Sequence, residues 1–340
     1  MRLRGCKRQE QDEPHRFRNF YVRRTLRIFP LFYFIWLLVL IASFIFHVLW
    51  QPLQTLWFVY LGNYIRFIAG TTAVDHMFTS NPRVHIEIGH FWSLAVEEQF
   101  YLIWPLVVFY VRDRGKLIRI CLSTIVAALL LRVVLLWTVP QPLLSMEFLY
   151  RMTFTQCDGF LLGGLLALWM RGPEKIKVLR HADKLLFGSL AALMVAWLAN
   201  SGWHVAPLSS TSGWMSTYGY TLVDLASAGF ILCALKPGTI VFRLTTLRPL
   251  QLLGKYSYGF YVYHVLLSPF VGSLYPRLDF SLPKPLFFTY LSLSWVADFL
   301  IIFVISMFSY HFIELPFLRL KGRFTVRHKT PAPKGALQIT

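Results

Sequence analysis

Between residues 28 and 310 the chain carries a succession of apolar runs of about 20 residues, most of them separated by short interruptions. A run of that length crosses the hydrocarbon core of a bilayer as an α-helix. In lipid, backbone N–H and C=O groups must be satisfied within the segment, so such runs read as spanning helices. The candidate spans are 28–48, 91–111, 117–139, 152–170, 185–200, 217–235, 251–272 and 286–310. The expected fold class is all-α, a polytopic transmembrane bundle of about eight spans. Composition agrees. Only 15% of the 340 residues are charged, against roughly a quarter in soluble domains.

The net charge of +18 would suggest nucleic acid in a soluble chain, but its placement excludes that reading. Of the 34 Lys and Arg residues, 28 fall in 1–27, 112–119, 171–184, 236–255 and 319–334, all at the ends of apolar runs. This is the distribution that marks cytoplasmic loops, and such ends also meet anionic lipid head groups.

Charge parity then settles the piece at 53–69, which is broken by Gln54, Gly62, Asn63 and Arg66. Arg23, Arg24 and Arg27 place the start of the first span inside. Arg112, Arg114 and Lys116 place the end of 91–111 inside as well. An even number of crossings lies between them, so 53–69 reads as an interfacial or re-entrant segment on the outer side. Its Trp57 and Tyr60 suit an interface. Both termini are then cytoplasmic. The chain divides into a basic segment 1–27, a membrane domain 28–318 and a basic, disordered tail 319–340. No cleavable signal peptide is visible at the N-terminus.

Cys6, Cys121, Cys157 and Cys233 form no CxxC pair, and the last three read as small apolar fillers. No His/Cys cluster has ligand spacing, so no metal is expected.

Ionisable groups at membrane depth are functional candidates. Here they are Glu97, Glu98, Arg132, Asp158, Asp224 and Asp298, and pairing between helices is the competing reading for Arg132, Asp224 and Asp298. The segment GHFWSLAVEEQFYLIWP sets His90, Ser93 and Glu97 on one helix face, with Trp92 at the outer end and Glu98 beside Glu97. An imidazole and a carboxylate on one face can polarise a hydroxyl acceptor; an aromatic belt with one paired Glu fits the spacing equally. In YVRRTLRIFPLFY, Arg24 and Arg27 lie one turn apart at the cytoplasmic mouth, placed either to chelate a phosphate or to set topology. LGKYSYGFYVYHVL brings Tyr258 and His264, the latter a helix-to-helix hydrogen bonder or a catalyst. In YHFIELPFLRLK, Glu314 stands at the end of the last span beside Arg319.

The ordered series RRTLRIFP, HFWSLAVEEQFYLIWP, DGFLLGGLLA, YSYGFYVYH and IELPFLRLK resembles membrane-bound acyltransferase family 3 across roughly residues 20–321. That family includes O-acyltransferases of surface polysaccharides and macrolides. The resemblance implies a bacterial-type inner-membrane enzyme with no permanently bound cofactor. It would take acyl-CoA, acetyl-CoA in the first instance, from the cytoplasm. It would pass the acyl group to a hydroxyl of an extracytoplasmic glycan or similar acceptor. Arg24 and Arg27 match the family's Arg-x-x-Arg element and would hold CoA phosphates. His90, Trp92, Ser93, Glu97 and Glu98 match the acceptor-side helix, and Tyr258, His264 and Glu314 match later positions. Asp158 heads the DGFLLGG element.

Members usually begin with two further spans, carrying an Arg–His helix and a Phe-Phe-x-x-Ser-Gly element. The Arg4–His15 spacing lies in a polar stretch and is coincidental. Without that histidine, general-base catalysis worth about 10²–10⁴-fold is missing, and weak activity or none is expected unless His90 or His264 substitutes. Two competing readings are a transporter or flippase of a lipid-linked glycan and an inactive relic of the acyltransferase.

Overall fold

A computed structural model describes residues 16–47, 52–69, 88–139, 146–201, 213–274 and 283–324. Cys6, the Arg4–His15 spacing, most of the 201–216 loop and the tail beyond Phe324 lie outside the described residues.

Every described element is helical, with no strand among the described residues. The long helices are α1 (Arg16–Ile45), α2 (Trp92–Tyr110), α3 (Arg114–Thr138), α4 (Thr153–Met170), α5 (Ala182–Ser201), α6 (Tyr220–Leu235), α7 (Arg248–Leu266) and α8 (Lys284–Ser309). Among the described residues five stretches are long and apolar enough to cross a membrane: Phe17–Ile45, Arg114–Thr138, Ala182–Asn200, Met215–Leu235 and Lys284–Phe324. Their outer faces expose Phe44, Trp137, Met194, Ile231 and Trp295, a surface suited to lipid.

Helix ends follow from local chemistry. Asp113 caps α3 by accepting from the Lys116 backbone N–H at 2.7 Å, and Thr239 does the same for Phe242 at 3.0 Å. Two segments are π-helical: Met215–Gly219, which runs into α6, and Tyr310–Glu314, which continues α8 into Leu315–Leu320.

Three packed clusters hold the helices. One gathers Leu31, Phe32, Ile35 and Trp36 of α1 with Phe91 and Leu94, Val262 and Tyr263 of α7, and Ile302 of α8. The second joins Leu166, Leu186, Ala228 and Leu232 across α4, α5 and α6. The third joins Phe100, Cys121, Leu161 and Leu165 across α2, α3 and α4. Gly229 sets the α5–α6 approach, because a Cβ there would lie 2.6 Å from the Leu186 backbone nitrogen. Cys121 and Cys233 are buried free thiols inside these clusters, as fillers should be.

The segment at 53–69 folds as short helical turns, Pro52–Val59, Gly62–Tyr64 and Ile65–Ala69. Its aromatic residues depart from the sequence reading. Trp57 and Tyr60 are 4% and 7% exposed and belong to the core rather than to an interface. The Trp57 ring lies over Gly62, where a Cβ would clash with it, and Tyr60 stacks on Phe32 at 4.3 Å. Tyr60 takes a left-handed conformation, φ 57°, which turns its carbonyl towards α2.

Candidate functional site

The side chains singled out by the sequence gather in three places, and the grouping differs from the one the spacing suggested.

The first is a charge cluster between α1 and α2. Arg24 reaches Glu97 with Nη2 at 2.7 Å and Glu98 with Nε at 3.0 Å, and its guanidinium lies over the Tyr101 ring at 3.2 Å. The sequence placed Arg24 in a phosphate site and the two glutamates in an acceptor site; the fold makes them one unit. Arg27, one turn on, is exposed. Beneath it Glu314 is 4% exposed, with Oε1 unpaired among the described residues. Gly259 lies against it, a Cβ there falling 3.4 Å from that oxygen, an ordinary contact. Tyr258 donates to the Ile28 carbonyl at 2.7 Å and ties α7 to α1.

The second cluster sits at the N-terminal end of α2. His90 Nε2 lies 3.2 Å from the Val262 carbonyl, and His264 Nδ1 lies 2.6 Å from the Tyr261 carbonyl. A carbonyl only accepts, so each of those nitrogens carries the proton. In the neutral form each imidazole then presents a lone pair on its other nitrogen, and His90 Nδ1 is buried with no partner among the described residues. The two rings are 5.2 Å apart. Tyr261 donates to the His90 carbonyl, so Ser93, 2.6 Å away, must donate to the Tyr261 oxygen. Glu97 shares the sequence face of His90 and Ser93 but bonds α1, while they bond α7.

The third place is the Arg132–Asp158 pair, 0% and 2% exposed. All five guanidinium N–H groups find acceptors: Nε to Thr217 O at 3.1 Å, Nη1 to Thr155 O and to Asp158 at 3.1 Å, and Nη2 to Asp158 and Thr221 at 2.7 Å each. This pair welds α3, α4 and α6 together, the pairing alternative for Arg132. Both Asp158 oxygens accept from Arg132, and Thr221 adds a hydrogen bond at 3.3 Å. Asp298 Oδ1 has no partner among the described residues.

Spacing missed two features. Gln99 is a hub: Nε2 donates to Tyr60 O at 2.7 Å and Asn63 at 2.9 Å, while Oε1 accepts from Tyr64 at 3.3 Å and from Thr153. Its place beside Glu97 and Glu98, as a polar residue at membrane depth, was the available signal. The other is Tyr261, one of four tyrosines in its segment with nothing in the sequence to separate it.

A family model described as "Acyltransferase domain" matches residues 10–311. The chain is 24% identical over 330 residues to O-acetyltransferase OatA of Staphylococcus aureus, covering 95% of this chain and 50% of that protein. It is 25% identical over 329 residues to the putative peptidoglycan O-acetyltransferase YrhL of Bacillus subtilis, covering 90% and 46%. It is 24% identical over 313 residues to peptidoglycan O-acetyltransferase OatA of Listeria monocytogenes, covering 90% and 47%. The chain thus spans about half the length of the curated relatives it matches. No solved structure matches it. With most of its length matched by that model, this all-helical chain belongs to the acyltransferase domain family.

Proposed function

We propose that this chain is a multi-pass inner-membrane O-acyltransferase. It moves an acyl group, acetyl in the first instance, from cytoplasmic acyl-CoA to a hydroxyl of an extracytoplasmic glycan. The observation that carries this reading is the pair of imidazoles at the head of α2, each donating to a backbone carbonyl and each left with a free lone pair. The glycan acceptor is supported by the relatives named for peptidoglycan.

In this reaction the acceptor oxygen attacks the thioester carbonyl carbon, the C–S bond breaks, and an ester and CoA thiol form. The hydroxyl proton passes to an imidazole lone pair, His90 Nδ1 being the buried one, and then to the departing sulfur. His264, 5.2 Å from His90, stands ready for the same proton. Ser93 and Tyr261 fix the two helices that carry these rings. Arg27, exposed, offers its fork to the CoA phosphates, while Arg24 holds Glu97 and Glu98 in place.

The membrane placement belongs to the same proposal. α2, α4 and α7 also cross, which gives eight spans, and the N-terminal end of α2 faces outward. The segment at 53–69 is re-entrant, an assignment supported by its anchoring to Gln99, seven residues into α2. Both termini are cytoplasmic.

The test is transfer of labelled acetyl from acetyl-CoA to a peptidoglycan fragment by the purified protein in nanodiscs. Turnover that is lost in His90→Ala and His264→Ala supports the proposal. CoA binding without turnover would show a relic that keeps only the donor site.

A further inference from the structure

A cavity of about 350 Å³ opens between α2, α4 and α6. Trp92, Ser93, Gln156 and Asp224 line one end, and Leu166 and Ile231 line the other. It lies apart from the charge cluster of Arg24. Three observations say what fits it.

The first is the polarity of its hydrogen bonds. Ser93 spends its proton on Tyr261, so only its lone pairs are left for a ligand. Asp224 adds a carboxyl group whose oxygens also accept. A ligand that donates, as a polyhydroxylated one does, meets acceptors at both places, and the Gln156 amide and Ser227 hydroxyl can serve its oxygens. The second is charge. No Lys, Arg or His among the described residues lines the cavity, so none of them compensates a phosphate there. That argues against the CoA end of a donor. The third is shape. The Trp92 indole supplies an aromatic wall of the kind that packs on a sugar ring, and Gly159 and Gly163 keep the α4 wall bare. The Asp224 carboxylate rests over Gly159, where a Cβ would lie 2.8 Å from Oδ1. At Gly163 an added Cβ would meet nothing within 4 Å.

We infer that this cavity is the acceptor subsite, taking one sugar unit of a glycan, with Asp224 and Ser93 accepting hydrogen bonds from its hydroxyls and Trp92 stacking on its ring. The inference rests on the acyltransferase reading above and on the N-terminal end of α2 facing outward. Ser93 lies on the cavity wall and also bonds Tyr261, whose carbonyl accepts from His264. An acceptor hydroxyl bound there therefore sits beside the imidazole pair.

The test compares Gly163→Met and Asp224→Asn with wild type in nanodiscs, using acetyl-CoA and a peptidoglycan disaccharide. At Gly163 the added Cβ meets nothing within 4 Å and the rest of a Met side chain extends into the cavity; thermal unfolding verifies that the variant keeps its packing. The expected result is a rise of about tenfold or more in KM for the disaccharide in both variants, with KM for acetyl-CoA within about twofold of wild type. An unchanged disaccharide KM overturns the inference, as does a rise in the acetyl-CoA KM alone. If wild type transfers nothing, the acyltransferase reading falls, and equilibrium dialysis of the disaccharide decides the cavity separately. Saturable binding that Gly163→Met abolishes sustains the subsite; no binding to wild type ends it.

Discussion

Arg24 and Glu98 face each other across the α1–α2 contact, with Nε 3.0 Å and Nη2 2.9 Å from the same carboxylate oxygen. Both side chains are largely buried, at 16% and 13% exposed, so this pair is more than a surface ion pair. Arg24→Lys keeps the charge but loses the planar fork. It is expected to lower kcat at least tenfold with little change in donor KM, whereas Arg27→Ala should raise donor KM. A double-mutant cycle of Arg24→Lys with Glu98→Gln should show a coupling of about 0.5–3 kcal/mol in thermal stability. Additivity would mean that the two side chains do not act together.

Arg132→Met leaves Asp158 buried and unpaired, and removing one partner of such a pair costs about 3–5 kcal/mol. The variant should unfold at markedly lower temperature in detergent. Arg132→Met with Asp158→Leu should recover most of the loss, because replacing both charges by apolar groups is often close to neutral. Equal instability of single and double variants would contradict this.

Gln99→Leu removes all four hydrogen bonds of the hub and leaves the Tyr60 carbonyl and the Asn63 amide short of a partner. Buried groups left unsatisfied cost about 1–3 kcal/mol each. Hydrogen exchange at residues 52–69 should quicken strongly, while α5 and α6 stay protected.

At the end of α4, Arg114 donates to Glu174 at 3.2 Å and to the Leu168 carbonyl at 3.3 Å. The hydrogen bonds from Arg114 to Glu174 hold its carboxyl below its usual range. A carboxylate held low in the folded state adds stability above its ordinary pKa and loses it as pH falls through the lowered value. Glu174→Gln should therefore be less stable than wild type at neutral pH, with the gap closing in acid. A gap that persists at low pH would rule out the ionic contribution.

The helices were legible in the sequence because lipid leaves the backbone one choice, and each apolar run lies for most of its length on a long helix. The Arg-x-x-Arg, His90 and EEQF segments were legible as types of chemistry. What spacing could not give was partnership. Glu97 shares a face with His90 and Ser93 on paper, yet α1 takes the glutamate and α7 takes the other two. Arg24 lies 73 residues from Glu97, and no local pattern encodes that pairing. Trp57 and Tyr60 have the amphipathic character of interface residues, but Gly62 and Phe32 offered them flat surfaces inside the core.

The π segments Met215–Gly219 and Tyr310–Glu314 each wind wider than the α-helix they interrupt. One delivers the Thr217 carbonyl to Arg132; the other ends on buried Glu314. Deleting a single residue from either would restore ordinary winding and turn the delivered group through about 100°. Glu314 would then turn out of its buried place and Arg132 would lose an acceptor, with neither of those two side chains altered. At these two points the interior is specified by how many peptides the chain contains, a kind of information that a substitution scan never reads and a one-codon deletion erases.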